Sequence, residues 1–258
     1  MKAIIIAVGQ GQRLRPYTAD RPKCMVEIKG KSLIERQVEA YRRAGIKDIV
    51  VVRGYLGNRI QIPGVRYIDN PRFKENNILE SLMCARDELV GDVVVSYGDI
   101  TFHPDLVPVL LEKQAPLMVV IDLEWKKVYE GRDDHPVEQA ELCVAQEVPI
   151  DMNLPSAYRV SQLGKQVGAE EGIGEFIGLA KISGPALGRL VALYDRALLH
   201  GREHPFQAAP TLRQAYLTDL LNEAIAQGEF IQPFWINGNW REIDTVQDYE
   251  RAQTEVTW

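Results

Sequence analysis

Residues 2–16, KAIIIAVGQGQRLRP, hold the pattern from which the rest of the chain is interpreted. Residues 2–8 are apolar after the first lysine and rich in isoleucine, as expected for a strand covered on both faces. Gly9 and Gly11 follow directly. Glycine lets the backbone turn sharply and approach a ligand closely, so consecutive N–H groups can line a phosphate. Taken alone, the pattern also fits an ordinary tight turn between a strand and a helix.

Beyond this loop, apolar strands and amphipathic segments alternate along the chain. The alternation predicts an α/β fold with a doubly wound, mostly parallel sheet. The predicted strands are 2–8, 48–52, 65–69, 92–97, 117–121, 176–182 and 230–236, and the predicted helices are 32–44, 77–89, 104–112, 185–199, 211–226 and 246–253. Charged, proline and aromatic residues interrupt this order within 122–175, with short strands expected at 142–148 and 158–161. We therefore expect a single domain, 1–258, with an inserted β-rich lid at about 122–175.

Composition narrows the class of partner. The chain has 258 residues, 46% of them hydrophobic, and a net charge of -6. This charge argues against a nucleic-acid partner, because phosphate backbones are held by surplus lysine and arginine. The three cysteines, Cys24, Cys84 and Cys143, are widely spaced, which fits a reducing compartment and supports neither a disulfide framework nor a zinc site. The apolar run at 3–8 is too short for a signal peptide or a membrane span, so we expect a cytoplasmic protein without a membrane partner.

Two common phosphate-binding motifs fail on spacing. A dinucleotide-binding loop needs a small residue three positions after its second glycine, where this chain has Leu14. A Walker motif needs a Gly-Lys-Ser/Thr triplet, which the loop lacks. Instead, Arg13 and Arg15 lie within the loop and Lys23 follows two prolines. These cations place positive charge where a nucleotide's phosphates would lie.

The segment 7–35, AVGQGQRLRPYTADRPKCMVEIKGKSLIE, resembles the signature of the nucleotidyltransferases that act on sugar 1-phosphates, phosphocholine and phosphonates. The resemblance implies a Rossmann-like nucleotidyltransferase fold. It also implies a catalytic pair, Arg13 and Lys23, that neutralises charge on the α-phosphate during transfer. The residues that it places around the nucleotide are Ala7, Val8, Gly9 and Gly11, with Val8 standing where the family usually has a second alanine.

Two aspartates are candidate metal ligands. Asp99 directly follows the predicted strand 92–97, at the edge of an open α/β sheet where ligands bind. Asp244 lies in the segment 239–245, NWREIDT, which resembles the family's second metal-binding segment. Carboxylates suit Mg²⁺, so we expect these two residues to hold a Mg²⁺ cofactor, although each could instead be a cap or turn former. No general base is needed, because the incoming phosphate or phosphonate is already ionised.

The segment 74–82, KENNILESL, resembles the phosphocholine and 2-aminoethylphosphonate cytidylyltransferase branch of the family. The resemblance implies CTP as the nucleotide. Asn76 serves equally well as a helix N-cap. The further residues expected near the nucleotide are Asn76, Ser81, Tyr97 and Gly98.

Two other segments, 122–132 and 174–181, resemble the same branch and suggest how the acceptor is bound. An aromatic and acidic pocket would hold an ammonium group, and two cations would hold the acceptor's anionic end. Trp125 and Tyr129 could instead be packing residues beneath the lid. The cluster 130–135, EGRDDH, is interpreted as a solvated turn apart from its arginine. The expected acceptor residues are Asp122, Trp125, Tyr129 and Glu175 for the ammonium, and Arg132 and Lys181 for the anion.

The resemblance implies an enzyme that transfers CMP from CTP to phosphocholine, 2-aminoethylphosphonate or a similar small phosphorylated or phosphonate acceptor, with release of pyrophosphate. One alternative is a sugar-1-phosphate nucleotidyltransferase that uses UTP or dTTP, but its Q-x-x-x-G-T-A segment is missing. Another is an inactive regulatory or assembly subunit. The intact set of catalytic and metal-binding candidates argues against the second alternative.

Overall fold

The strand predicted at the start of the chain lies inside a nine-stranded sheet in the computed structural model, which describes residues 1–148 and 157–258. The strands of the protein are β1 (Lys2–Ala7), β2 (Glu27–Ile28), β3 (Lys31–Ser32), β4 (Asp48–Arg53), β5 (Arg66–Asp69), β6 (Val93–Tyr97), β7 (Ile100–Phe102), β8 (Leu117–Asp122), β9 (Leu142–Val148), β10 (Ala157–Gly164), β11 (Gly174–Ile182), β12 (Gln232–Ile236) and β13 (Trp240–Glu242). The α-helices are α1 (Leu33–Arg43), α2 (Ile78–Met83), α3 (Leu106–Glu112), α4 (Trp125–Tyr129), α5 (Gly184–Leu199), α6 (Leu217–Ala226) and α7 (Val246–Glu255).

The sheet has a parallel centre. Strands β6, β1, β4 and β5 are neighbours and run in one direction, and β12 pairs in parallel with β8. Among the strands that the structure describes, β10 and β11 run the other way, β11 being antiparallel to β6, β8 and β9 and β10 antiparallel to β9. The predicted doubly wound, mostly parallel α/β fold is confirmed.

Strand β1 is apolar on both faces because each face packs on a separate hydrophobic core. Ile4 and Ile6 belong to the core that includes residues of α2, α5 and α6. Ile5 belongs to the opposite core, with residues of α1 and α3. Alternate residues of a strand point to opposite faces, so a strand between two helical layers has no polar face.

The register between β1 and β6 brings the glycine loop beside the end of β6. Ile6 pairs with Tyr97, and the Gly98 N–H donates to the carbonyl of Ile6 at 2.9 Å. A Cβ on Gly98 would lie 2.8 Å from the Cα of Ala7, so only glycine allows this close approach. Asp99, which comes after β6 in the chain, therefore lies beside the glycine loop, which comes after β1.

The inserted segment adds strands to the main sheet. The expected strands at 142–148 and 158–161 are β9 and β10, which extend the sheet beyond β11. Residues 149–156 of the predicted insertion lie outside the described residues. The helix expected at 211–226 is divided, because the Thr211 side chain caps a short 3₁₀ turn and Asp219 caps the new start of α6.

Two short strands, β7 and β13, are absent from the sequence prediction and position the second aspartate. They pair antiparallel, with Trp240 opposite Phe102 and Glu242 opposite Ile100. Strands of three residues carry too little periodicity to be recognised in sequence. In the part of the chain that the structure describes, no helix has both the length and the apolar character that a membrane span requires.

Candidate active site

The Lys23 side chain joins the two predicted metal-binding aspartates. Its Nζ lies 2.6 Å from Asp99 Oδ2 and 2.8 Å from Asp244 Oδ1, and its side chain is 8% exposed. Burial disfavours the charged form of Lys23, but the two carboxylates outweigh this effect and raise the pKa of Lys23 above its ordinary value. The structure therefore brings the three residues into one charged cluster and keeps the lysine ionised.

The glycine loop holds Lys23 through close packing. Gly11 has a φ of 61°, and a Cβ there would lie 2.9 Å from Thr18 Cγ2 and 3.2 Å from Lys23 Cβ. The Thr18 hydroxyl donates to the Gly11 carbonyl at 2.6 Å. Gly11 thus combines a left-handed backbone with space for the stem of the lysine.

Asp244 reaches the cluster because two contacts fix the segment that carries it. The Ile243 N–H donates to the Asp99 carbonyl at 3.0 Å, beside the β7–β13 pair. The carboxylate of Asp248, in the first turn of α7, accepts from the Asp244 N–H at 3.0 Å. The Lys23 charge, against the opposing effect of burial, lowers the pKa of Asp244 below its ordinary range. Asp244 is therefore a carboxylate at neutral pH.

Two further side chains contact Asp244. Arg13 forms an ion pair with its Oδ2 and remains half exposed. His135 is buried, with Nδ1 2.9 Å from Asp244 Oδ2 and 3.7 Å from Glu242 Oε2. The interpretation of 130–135 as a solvated turn is wrong for His135. No spacing or motif in the sequence indicates this contact, which depends on the folded insertion.

Two adjoining cavities meet at the cluster. One, the glycine-loop cavity, has a volume of about 190 Å³. The other, the glutamate cavity, has a volume of about 220 Å³ and is lined by three glutamates, Glu141, Glu175 and Glu242. The residues that line both cavities are Asn77, Ile78 and Asp99. The residues of the glycine-loop cavity that the sequence indicated are Ala7, Val8, Gly9, Lys23, Asn76, Gly98 and Asp99.

Three residues expected at the nucleotide lie outside the lining of the glycine-loop cavity. Gly11 supports the loop and is not part of the cavity lining. Ser81 is fully buried and donates to the Asn77 carbonyl at 2.9 Å, so it shapes the start of α2. Tyr97 lines the glutamate cavity, with its hydroxyl 3.3 Å from Glu141 Oε2. The tyrosine thus lies on the side opposite to the one expected.

A larger cavity, of about 360 Å³, lies between α5 and the segment that follows it. Its walls include Leu193, His200 and Phe206. It contains no part of the lysine–aspartate cluster and none of the residues that the sequence indicated. Size alone does not identify a functional cavity, and the charged cluster distinguishes the two smaller ones.

Residues 3–165 match the model of the MobA-like NTP transferase domain family. The CTP:phosphoglutamine cytidylyltransferase of Campylobacter jejuni is 33% identical over 267 residues, which cover 97% of this chain and 98% of that protein. The chain belongs to the MobA-like NTP transferase domain family. The resemblance inferred from residues 7–35 is thereby confirmed.

Other relatives of this MobA-like NTP transferase agree. The choline-phosphate cytidylyltransferase of Streptococcus pneumoniae is 38% identical over 106 residues, which cover 40% of this chain and 46% of that protein. A solved structure of CTP:phosphocholine cytidylyltransferase from Streptococcus pneumoniae superposes with a TM-score of 0.65 at 24% identity, covering 98% of this chain and 97% of that one. The structural likeness supports the nucleotidyltransferase fold.

Glu175 presents a free carboxylate oxygen in the glutamate cavity. Its Oε1 accepts from the Tyr129 hydroxyl at 2.8 Å, while its buried Oε2 has no hydrogen-bond partner among the described residues. Burial, with a contribution from Glu242, raises the pKa of Glu175 to about 8. Burial also raises the pKa of Glu141 to about 7. The cavity of this MobA-like NTP transferase therefore holds acidic groups that gain from a cationic ligand.

Two of the expected ammonium ligands are structural. Asp122 is fully buried, and its carboxylate accepts from the N–H groups of Glu124 and Gly238 and from the Trp240 indole, at 3.0, 2.7 and 2.8 Å. Both carboxylate oxygens of Asp122 are therefore engaged within the fold. Trp125 packs in a small core with Leu142. The packing interpretation describes Trp125 better than the pocket interpretation.

The two expected anion ligands are engaged elsewhere. Arg132 is buried against Asp248, at 2.7 and 2.8 Å, and Glu242, at 3.1 Å, which neutralise its charge. Lys181 lies at the other end of β11 from Glu175, and its Nζ contacts the carbonyls of Leu111, at 3.3 Å, and Lys113. The resemblance of the two segments to the family indicates where charged residues lie in the sequence. It does not indicate which partners Arg132 and Lys181 contact in the fold.

We expect Asp122→Ala to lower the free energy of unfolding by about 3 kcal/mol or more, because three buried donors lose their acceptor. Denaturant unfolding followed by circular dichroism measures this loss. Asp122→Asn, which keeps one acceptor oxygen, should lose less. A stable Asp122→Ala protein with weakened acceptor binding would return this residue to the ligand site.

We expect Glu175→Gln to stabilise the protein, and more so at pH 8 than at pH 5. The ordinary carboxyl loses its proton near 4.5 and the folded one near 8, so the folded state binds the proton more tightly. The wild-type protein therefore loses stability as the pH rises between these values, and glutamine removes this loss. Thermal unfolding at both pH values should show a gain of several degrees at pH 8. An equal or lower melting temperature for the variant at pH 8 would contradict the burial cost.

Proposed function

We propose that this MobA-like NTP transferase is a CTP-dependent cytidylyltransferase that transfers CMP to a small phosphorylated or phosphonate metabolite and releases pyrophosphate. The observation that carries the proposal is the position of Lys23, Asp99 and Asp244 where the two cavities meet. The relatives named for phosphoglutamine and choline phosphate support the choice of CTP. A 2-aminoethylphosphonate cytidylyltransferase of Lancefieldella rimae, 35% identical over 92 residues that cover 34% of this chain and 37% of that protein, supports it further.

In the proposed reaction, the substrate bound in one cavity reacts with the substrate bound in the other. The glycine-loop cavity would hold CTP, and the glutamate cavity would hold the acceptor. An ionised oxygen of the acceptor attacks the α-phosphorus, a new P–O bond forms, and the bond to the pyrophosphate oxygen breaks. Lys23 and Arg13 supply positive charge near the phosphorus, where negative charge accumulates. The acceptor oxygen carries no proton to remove, so the chemistry needs no general base.

The residues at the junction fit a Mg²⁺ ion. Asp99 and Asp244 already share one cation, since a carboxylate oxygen of each lies within 3 Å of the same Lys23 nitrogen. Hard carboxylate oxygens together with phosphate oxygens are the ligands that Mg²⁺ prefers. We propose that Asp99 and Asp244 hold it. When bound, Mg²⁺ would polarise the α-phosphate and offset the charge of the leaving pyrophosphate.

The glutamate cavity fits an acceptor with a positively charged nitrogen. Choline and aminoethyl groups both carry such a nitrogen. The unpartnered Oε2 of Glu175 can accept an ammonium hydrogen or lie against a quaternary ammonium. Tyr129 donates to the other oxygen of Glu175 and thereby orients the carboxylate. We propose that this pair binds the acceptor's cationic group.

We expect Lys23→Ala and Asp99→Asn to reduce pyrophosphate release at least 100-fold with CTP and the best acceptor, because each removes charge stabilisation at the reacting phosphorus. The acceptor is first found by screening CTP, UTP, ATP and GTP against phosphocholine, 2-aminoethylphosphonate, phosphoglutamine and sugar 1-phosphates. Lys47→Ala removes an exposed lysine before β4 and serves as the matched control. Full activity of either site variant would remove the proposed chemistry, and a preference for UTP with a sugar 1-phosphate would replace the proposed substrate pair.

We expect kcat/KM for an ammonium-bearing acceptor to rise with pH through about 8, as Glu175 ionises. The groups that surround this carboxyl are Tyr129, Arg132, Glu242 and Asp122. Glu175→Gln should flatten this rise and increase KM for the acceptor about 10-fold or more, while KM for CTP changes little. Parallel pH profiles of both proteins check this. Equal effects on the two substrates would exclude the ammonium site.

A further inference from the structure

We propose that the acceptor is a phosphorylated α-amino acid and that Lys165 binds its carboxylate. The inference rests on the proposed function, because it assigns the molecule that enters the glutamate cavity. The proposed ammonium site uses an acidic group of the glutamate cavity. It leaves without a function Lys165, a cation that lines the same cavity.

Lys165 differs from the other cations at the site in having only neutral partners. Its Nζ lies 3.1 Å from Gln139 Oε1 and 3.0 Å from the Tyr216 hydroxyl, above the Tyr216 ring. Across residues 1–148 and 157–258, no carboxylate oxygen lies within 4.0 Å of this nitrogen. Lys23 and Arg13, by contrast, are both paired with Asp244. Lys165 therefore has no ion-pair partner among the described residues at the wall of the cavity, although its charge acts through space on the buried Glu141, whose pKa burial raises and Lys165 lowers.

The reacting phosphate is not the anion that Lys165 binds. Two strands, β9 and β11, separate β10, which ends just before Lys165, from β6, which ends just before Asp99. Neighbouring strands lie about 4.8 Å apart, so the two strand ends are about 14 Å apart across the sheet. The phosphate must be near Asp99, where it meets the nucleotide. Lys165 thus faces the opposite end of the acceptor.

Glu175 and Lys165 lie on either side of strand β9. Leu142 of β9 pairs with Gly164 on one side and with Glu175 on the other, and Lys165 follows Gly164. The backbones of Lys165 and Glu175 are therefore about 10 Å apart. The unpartnered oxygen of Glu175 and the ammonium of Lys165 can reach a small molecule held between them. The cavity offers one site for a cation and one for an anion.

An α-amino acid presents both charges on one carbon. Its ammonium would lie against Glu175, and its carboxylate would accept from Lys165 and the Tyr216 hydroxyl. A choline or aminoethyl group supplies only the cation. It would make no contact with Lys165 and would bring a second positive group into a cavity where Lys165 already faces Glu141, whereas a carboxylate would give Lys165 an ion pair. The charges of the cavity therefore select a zwitterionic acceptor over a purely cationic one.

The test uses acceptors that differ only in the carboxylate. Phosphoserine is compared with phosphoethanolamine, and phosphohomoserine with phosphopropanolamine, by pyrophosphate release from CTP. In the wild-type enzyme we expect kcat/KM to be at least 10-fold higher for the amino acid of each pair. In Lys165→Met, which keeps an unbranched side chain one atom shorter and without the charge, we expect this ratio to fall 10-fold or more, mainly through KM for the amino acid.

Two control variants separate recognition from folding. Lys165→Arg should restore most of the ratio, because it restores the charge. Lys181→Met removes a lysine from the far end of β11 and should leave the ratio as in the wild type. A ratio that Lys165→Met does not change, or a wild-type preference for the amines or for phosphocholine, would overturn the inference and leave the proposed function standing. Absence of pyrophosphate release with every acceptor and nucleotide would instead reject the proposed function itself.

Discussion

The fold and the chemistry of this protein both depend on one buried ammonium group shared by two carboxylates. Lys23, Asp99 and Asp244 come from parts of the chain separated by up to 221 residues, and a mismatch at any one would leave a charge buried without a partner. Removing one partner from such a cluster is strongly destabilising. The parallel register of β1 and β6 places the glycine loop, and with it Lys23, beside Asp99. The antiparallel pair of β7 and β13 places Asp244 next to them. The pairing of the strands at this edge of the sheet therefore places the three residues together.

In the proposed reaction, the same cluster lies between the two substrates. Asp99 lies in the wall of both cavities, so groups on either side share one electrostatic centre. The glycine-loop cavity brings the backbone of Gly9 and Gly98 next to Lys23 and Asp99. The glutamate cavity has more ionisable side chains, among them Glu141, Glu175 and Lys165. Backbone N–H groups suit the phosphates common to all nucleotides, whereas charged side chains suit a charged acceptor.

The sequence predicts the residues whose role is local and misses those that depend on tertiary contacts. The glycine loop, Lys23 and Asp99 are recognisable because each belongs to a strand end or a short motif. Asp122 and Arg132 carry the right charges in matching segments, yet their partners, Trp240 and Asp248, lie more than 100 residues away. Glu141 and Lys165 adjoin β9 and β10, the strands by which the insertion extends the sheet beyond β11, and His135 lies in the segment before β9. The spacing of these residues along the sequence does not indicate their contacts in the fold.

The buried glutamates link binding to protonation. A carboxyl group with its pKa raised to about 8, as for Glu175, holds a proton at neutral pH, because the nearby Arg132, which is paired with Asp248 and Glu242, does not offset the effect of burial. A cationic ligand can take the place of that proton. Its binding then releases a proton to solvent, and the free energy of burying the carboxylate is offset by the ligand's charge. A ligand without a positive group cannot make this exchange. The proposed ammonium site would therefore select its ligand by charge, since the proton bound to the empty site competes with the ligand.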